Sequence, residues 1–132
     1  MDFGFVRLHH VQLAIPPGGE DVAREFYGGV LGMVELAKPE ALRARGGCWF
    51  RAGGWEIHLG VQSDFRAARK AHPGVLVTGL DRLAAALEKA GRPADWDPHF
   101  PGHRRLYAFD GHGNRLEFLE PLVSGDDEPT MG

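Results

Sequence analysis

Apolar and polar positions change their period several times along the chain, and the order of those changes predicts the elements. Residues 5–15 read as a strand. Val11, Leu13 and Ile15 fall on one side of it, and His10, Gln12 and Ala14 on the other. Pro16-Pro17-Gly18-Gly19 closes it. Over residues 20–31 the period becomes helical, with Val22, Ala23, Phe26, Tyr27, Val30 and Leu31 on the recurring positions. Acidic residues open this helix, Gly28-Gly29 weaken its last turn and Gly32 ends it. Three short strands are predicted next, over 33–37, 48–52 and 55–61. Gly46-Gly47 and Gly53-Gly54 separate them.

After a polar stretch at 64–71 the order starts again. An apolar run covers 72–77. Residues 81–90 are helical, with Leu80, Leu83, Ala84 and Leu87 on one face and Gly91 just past the end. Strands follow over 94–97, 104–109 and 115–120, with a hairpin turn at 111–114. The chain therefore reads strand, helix, three strands, twice: an internal repeat of roughly sixty residues. The fold class this predicts is α+β. Each module presents one face of a curved mixed sheet that neither half buries alone, and pairing them leaves a cleft. One domain is expected over residues 1–122, with module one at about 5–62 and module two at about 70–121, followed by a flexible acidic tail at 123–132.

Length and composition agree with that reading. A chain of 132 residues, 43% hydrophobic and 25% charged, can bury a core without disulfides. The net charge of −3 and the scattered basic residues point away from nucleic acid and from membrane surfaces. The single cysteine, Cys48, allows no intrachain disulfide and suits a reducing compartment. No signal-peptide layout opens the sequence, and no stretch reaches the roughly 18 apolar residues of a membrane span. A soluble, cytoplasmic protein is expected. There is no Walker-type phosphate loop, no Cys-x-x-Cys and no His-Glu-x-x-His.

Seven histidines are many for this length, and their positions are informative. His10 lies on the first strand of module one and His58 on its last, 48 residues apart. His72 opens the first strand of module two and Glu117 lies on its last, 45 residues apart. Four side chains of the metal-ligand type thus hold equivalent places in the two halves. Each sits on its strand's less apolar side. Glu117, in an otherwise apolar strand, needs a partner, which a metal, Arg105 or Arg115 can supply. Glu56 shares a face with His58 and is a candidate general base beside it. Gln12, Trp49, Arg51, Arg105 and Tyr107 are candidate substrate contacts, Trp49 and Arg51 sharing one face and Arg105 and Tyr107 another. His9 points to the opposite face from His10, and His99, His103 and His112 fall in loops. Cys48 reads as a small core residue.

The segment His10-Val-Gln-Leu-Ala-Ile, followed by Phe26-Tyr27 and Leu31-Gly32-Met33, resembles the opening of the vicinal-oxygen-chelate superfamily. That superfamily comprises the glyoxalase, bleomycin-resistance and extradiol-dioxygenase proteins. Asp110 through Gly113-Asn114-Arg115-Leu116-Glu117-Phe118 resembles its closing motif, although Gly111-His112 replaces the usual proline and the residue after it. Pro73 directly after His72 is a second departure. The resemblance runs from about Leu8 to Pro121. It implies paired βαβββ modules and one divalent metal ion (Fe, Mn, Ni, Co or Zn) held by His10, His72 and Glu117. His58 falls on a fourth position that is a ligand in some members only. It can therefore be a ligand, a hydrogen-bond donor behind the ligands, or a substrate contact. The activity implied is a metal-dependent glyoxalase-like lyase or isomerase that chelates a small oxygenated substrate through neighbouring oxygens. The alternatives are an Fe(II) extradiol-type dioxygenase and a binding protein that sequesters an antibiotic without catalysis. A homodimer is expected.

Overall fold

A computed structural model of the chain describes residues 2–122. The tail predicted at 123–132 lies outside the described residues. The chain forms two compact units that divide between Arg66 and Ala67.

The first unit is a four-stranded sheet in the order β1-β4-β3-β2. Its strands are β1 (His10–Ile15), β2 (Val34–Leu36), β3 (Cys48–Ala52) and β4 (Trp55–Val61). β1 runs parallel to β4, while β2 and β3 are antiparallel additions. A parallel pair needs a crossover, and the segment from Glu20 to Val30 supplies it. That segment begins as helix α1 (Glu20–Ala23) and continues as a π-helical stretch, Arg24–Val30. Here the sequence predicts one regular helix. The wider turn closes with the Leu31 N–H donating to the Phe26 carbonyl at 3.0 Å, with two glycines in the widened segment to relieve crowding. It also lets the adjacent rings of Phe26 and Tyr27 both enter the core, where Tyr27 meets Phe50 of β3 at 5.8 Å between centroids.

The second unit repeats the plan in the order β5-β8-β7-β6. It contains β5 (Gly74–Leu76), α3 (Leu80–Lys89), β6 (Asp95–Trp96), β7 (His103–Phe109) and β8 (Arg115–Pro121). β5 and β8 are the parallel pair. α3 turns Leu80, Ala84 and Leu87 inward and contacts β8. The buried residues of the sheet include Leu106, Ala108, Leu116 and Phe118. Both units are thus four-stranded mixed sheets built on the predicted order of elements.

Several boundaries differ for identifiable reasons. The first strand begins at His10, not at residue 5. In the parallel register His10 stands opposite Glu56; the His9 carbonyl still accepts the Glu56 N–H at 3.1 Å, and residues before it would run past the start of β4 toward the Gly53-Gly54 turn. Phe5 and Val6 are accordingly 93% and 94% exposed. A one-turn helix, α2 (Glu40–Arg43), was not predicted, since four residues are too few for a helical period to show. His103 opens β7 and does not lie in a loop. His72 precedes β5, where Pro73 has no N–H to give a ladder and instead offers its carbonyl to the Glu117 N–H at 3.1 Å. At the start of β3, Gly47 has φ +85°, and a Cβ there would stand 2.1 Å from the Leu59 carbonyl oxygen. Only glycine lets the two backbones approach this closely.

Candidate functional site

In the first unit, alternation along β1 carries Leu13 and Ile15 into the core and leaves His10 and Gln12 exposed on the other face. His58 of β4 is the register partner of Gln12 and so sits diagonally from His10. Trp49 of β3 is its partner on the other side. The three rings form a stack: His10 on His58 at 4.1 Å between centroids, and Trp49 on His58 at 4.0 Å, nearly parallel in both cases. His58, 5% exposed, therefore has both ring faces covered and only its edge free to act. At that edge Nε2 lies 2.9 Å from Oε1 of Glu56. The hydrogen bond from His58 holds the Glu56 carboxyl below its ordinary value, so the ring N–H donates and the carboxylate accepts. Burial, reinforced by the His58 and His9 rings, keeps His10 below the usual imidazole value. His9 is not turned away from this cluster as the sequence suggests. Preceding the strand, it is free of the pleat, and its Nδ1 stands 2.9 Å from Nδ1 of His10.

The second unit repeats the diagonal relation. His72 lies two residues before Gly74, the register partner of Glu117, just as His10 lies two before the partner of His58. Here Nε2 of His72 lies 2.8 Å from Oε1 of Glu117, which is 6% exposed. Nδ1 of His72 donates to the Lys70 carbonyl at 2.9 Å, which fixes the tautomer and turns Nε2 toward the carboxylate. Arg105 Nη1 donates to the other Glu117 oxygen at 3.1 Å, and Asp97 backs Arg105 at 3.4 Å. Arg105 Nε is buried without a partner. Tyr107 meets the His72 ring edge-on at 5.5 Å, and Arg115 lies over Tyr107 at 3.9 Å. Of the two arginines suggested for Glu117, Arg105 is the one that pairs. Arg51 is exposed opposite Glu56.

The donor set can be tested against a divalent ion. Two ligands at about 2.1 Å from a metal and at right angles to each other are about 3.0 Å apart. The His72–Glu117 separation of 2.8 Å has that edge length, and the second ring nitrogen is already committed to a carbonyl. Nε2 and Oε1 are therefore the two atoms left to face an ion together. The pair fits two neighbouring coordination positions. Among the described residues no three His, Cys, Asp or Glu side chains converge as a complete cluster. The His10 and His58 rings are stacked face to face, 4.1 Å apart in nearly parallel planes.

Cys48 is 1% exposed, and burial pushes its thiol up to about 11. At pH 8 only about one molecule in a thousand then carries the thiolate. We expect Ellman's reagent at pH 8 to label the native protein at least about a hundredfold more slowly than the unfolded one. Labelling at equal rates would contradict the burial.

No helix of the described residues is long and apolar enough to cross a membrane. The repeated parallel pair, with ligand-type side chains set diagonally on its two strands, matches what the resemblance to the vicinal-oxygen-chelate superfamily implies. No protein-family model and no curated protein matches the chain. Solved structures do. The chain is 43% identical to a glyoxalase family protein from Bacillus anthracis, over 92% of this chain and 100% of that one, with a TM-score of 0.89. A glyoxalase/dioxygenase from Nostoc punctiforme shares the fold at 18% identity and a TM-score of 0.72, covering 89% of this chain and 92% of its own. Lactoylglutathione lyase from Agrobacterium tumefaciens does so at 18% and 0.68, covering 86% and 92%. The chain belongs to the glyoxalase family.

Proposed function

We propose that this protein is a metal-dependent enzyme that moves a proton on a small substrate carrying two neighbouring oxygens. The observation that carries the reading is the His72–Glu117 pair, preset at ligand spacing by Lys70 on one side and Arg105 on the other. His72 and Glu117 hold the ion, and His10 is the third protein ligand, from the same chain or from a second copy. A divalent ion held there supplies Lewis acidity to the substrate oxygens and so stabilises negative charge as it grows on them. The remaining work falls to the protein. Glu56 accepts the hydrogen bond of the His58 Nε2–H, which leaves Nδ1 as the basic nitrogen. Trp49 and His10 clamp that ring so that the base cannot swing away. His58 is thus assigned to proton transfer through Nδ1, with Glu56 orienting the ring from Nε2.

Metal analysis with a proton-exchange assay tests this. We expect one equivalent of divalent metal per chain, bound with micromolar affinity or tighter. The metal-loaded protein should catalyse exchange of the carbon-bound hydrogens of hydroxyacetone into D2O. His58→Ala should keep the metal within about threefold and slow the exchange roughly a hundredfold. If His58→Ala lost the metal, His58 would be a ligand, as the four-ligand reading has it. If the wild-type chain bound no divalent ion, the proposal would fall.

A further inference from the structure

We propose that the first unit also carries an anion-binding pocket, which takes the carboxylate or phosphonate-type head of the substrate. The inference rests on the reading above, in which His58 transfers the substrate's proton and so faces it. A cavity of about 170 Å³ opens beside the ring stack, lined among others by Gln12, Lys38, Arg45, Gly46, Trp49 and Gly60. Gln12 and Trp49 are the two register partners of His58, one on each side, so the pocket shares its walls with the stack.

Two observations define what the pocket takes. The first is charge. Lys38 and Arg45 bracket the short helix α2 and both line the cavity. Among the described residues neither forms an ion pair, whereas Arg24, Arg104 and Arg105 each have carboxylate partners. The Lys38 ammonium is held in place by the Gly46 carbonyl, which accepts one of its three N–H bonds. Glu20, whose carboxylate reaches the same glycine turn, accepts the Gly47 N–H at 2.8 Å and balances neither cation. Two uncompensated cations at one concavity favour an oxyanion between them.

The second is size. At about 30 Å³ per water-sized group, the space holds roughly five or six heavy atoms. That suits a charged head group and is well below the 300–1,000 Å³ of a complete ligand site. The remainder of the substrate must therefore extend along the shared wall toward His58. Gly60 keeps the floor open: a Cβ there would stand 2.6 Å from the Gln12 side-chain nitrogen. Its lack of a side chain leaves the Gln12 amide where a neutral donor can meet the anion.

Titration of the ¹⁵N-labelled full chain tests the pocket without any turnover. Methylphosphonate and acetate would be added separately, with chloride at matched ionic strength as the reference. We expect saturable shifts of the Gln12 side-chain amide, the Trp49 indole N–H and the Gly46 amide, with millimolar affinity or tighter for at least one anion. Which of the two binds more tightly identifies the head group. The double variant Lys38→Ala/Arg45→Ala should weaken binding at least tenfold. Lys38→Arg should hold it within about threefold, and Lys89→Ala, in the second unit, should leave it unchanged. Shifts no different from chloride, or binding indifferent to the double variant, would overturn the pocket. Anion binding that persists in a chain without metal affinity would sink the metal reading and leave the pocket standing; the opposite pattern would do the reverse.

Discussion

Replacing Glu117 with glutamine is expected to lower metal affinity by at least about a hundredfold and to remove turnover with it. The substitution preserves shape and keeps a carbonyl oxygen for Arg105, so the fold should survive at a cost of about 1–2 kcal/mol. It removes the negative charge that a cation needs beside the His72 nitrogen. It also leaves the Arg105 guanidinium, only 14% exposed, with Asp97 at 3.4 Å as its remaining ionic partner. Calorimetric metal titration read against thermal unfolding separates the two effects. Affinity should collapse while the melting temperature moves by a few degrees. A Glu117→Gln protein that binds metal as the wild type does would show that the carboxylate serves only to pair Arg105 and His72.

That this residue stands out before any coordinates reflects how simple its signal is. A carboxylate on the inward face of an apolar strand has to be compensated, and few partners are possible. The same holds for His10, which alternation places opposite Leu13 and Ile15. The repeat was legible because a switch from period two to period 3.6 and back is a property of the local sequence, and β3 and β4 appear with the predicted bounds. What the sequence does not show is set by partners distant along the chain. The first strand begins close to where β4 begins, and nothing in residues 5–9 records this. The pairing of His58 with Glu56 was foreseeable from their shared face, but the stack with Trp49 depends on the register of an antiparallel neighbour. Lys38 and Arg45 gave no sign of function at all. They flank a helix too short to have a period, and the close packing of Gly47 on Leu59, with the Glu20 carboxylate on the Gly47 N–H, brings that loop against the sheet.

The closing motif was recognised by resemblance, and the structure supplies its physical reason, which leads to the second large expected effect. Asp110 is 2% exposed at the end of β7. Its Oδ1 accepts the N–H groups of His112 and Asn114, both at 2.9 Å, and its Oδ2 accepts the Asn114 side-chain amide at 3.1 Å. Asn114 Oδ1 in turn accepts the Ala68 N–H at 2.9 Å, and the Arg115 N–H reaches the Ala68 carbonyl at 2.8 Å. The turn thereby ties β8, which carries Glu117, to the segment that leads to His72. Gly113 completes it at φ +90°, where a side chain would be strained. With Gly111 where the motif usually has proline, the Asp110 carboxylate supplies the bonds that hold the loop. Asp110→Ala deprives three donors, two of them buried, of this acceptor at once. We expect a loss of about 3–4 kcal/mol, seen as a melting temperature lower by roughly 10–15 °C. Asp110→Asn keeps one acceptor oxygen and should cost about half as much. Metal affinity should fall in both, because the His72–Glu117 spacing depends on the same tie. A melting temperature for Asp110→Ala within about 3 °C of the wild type would mean that the turn is held by its backbone alone.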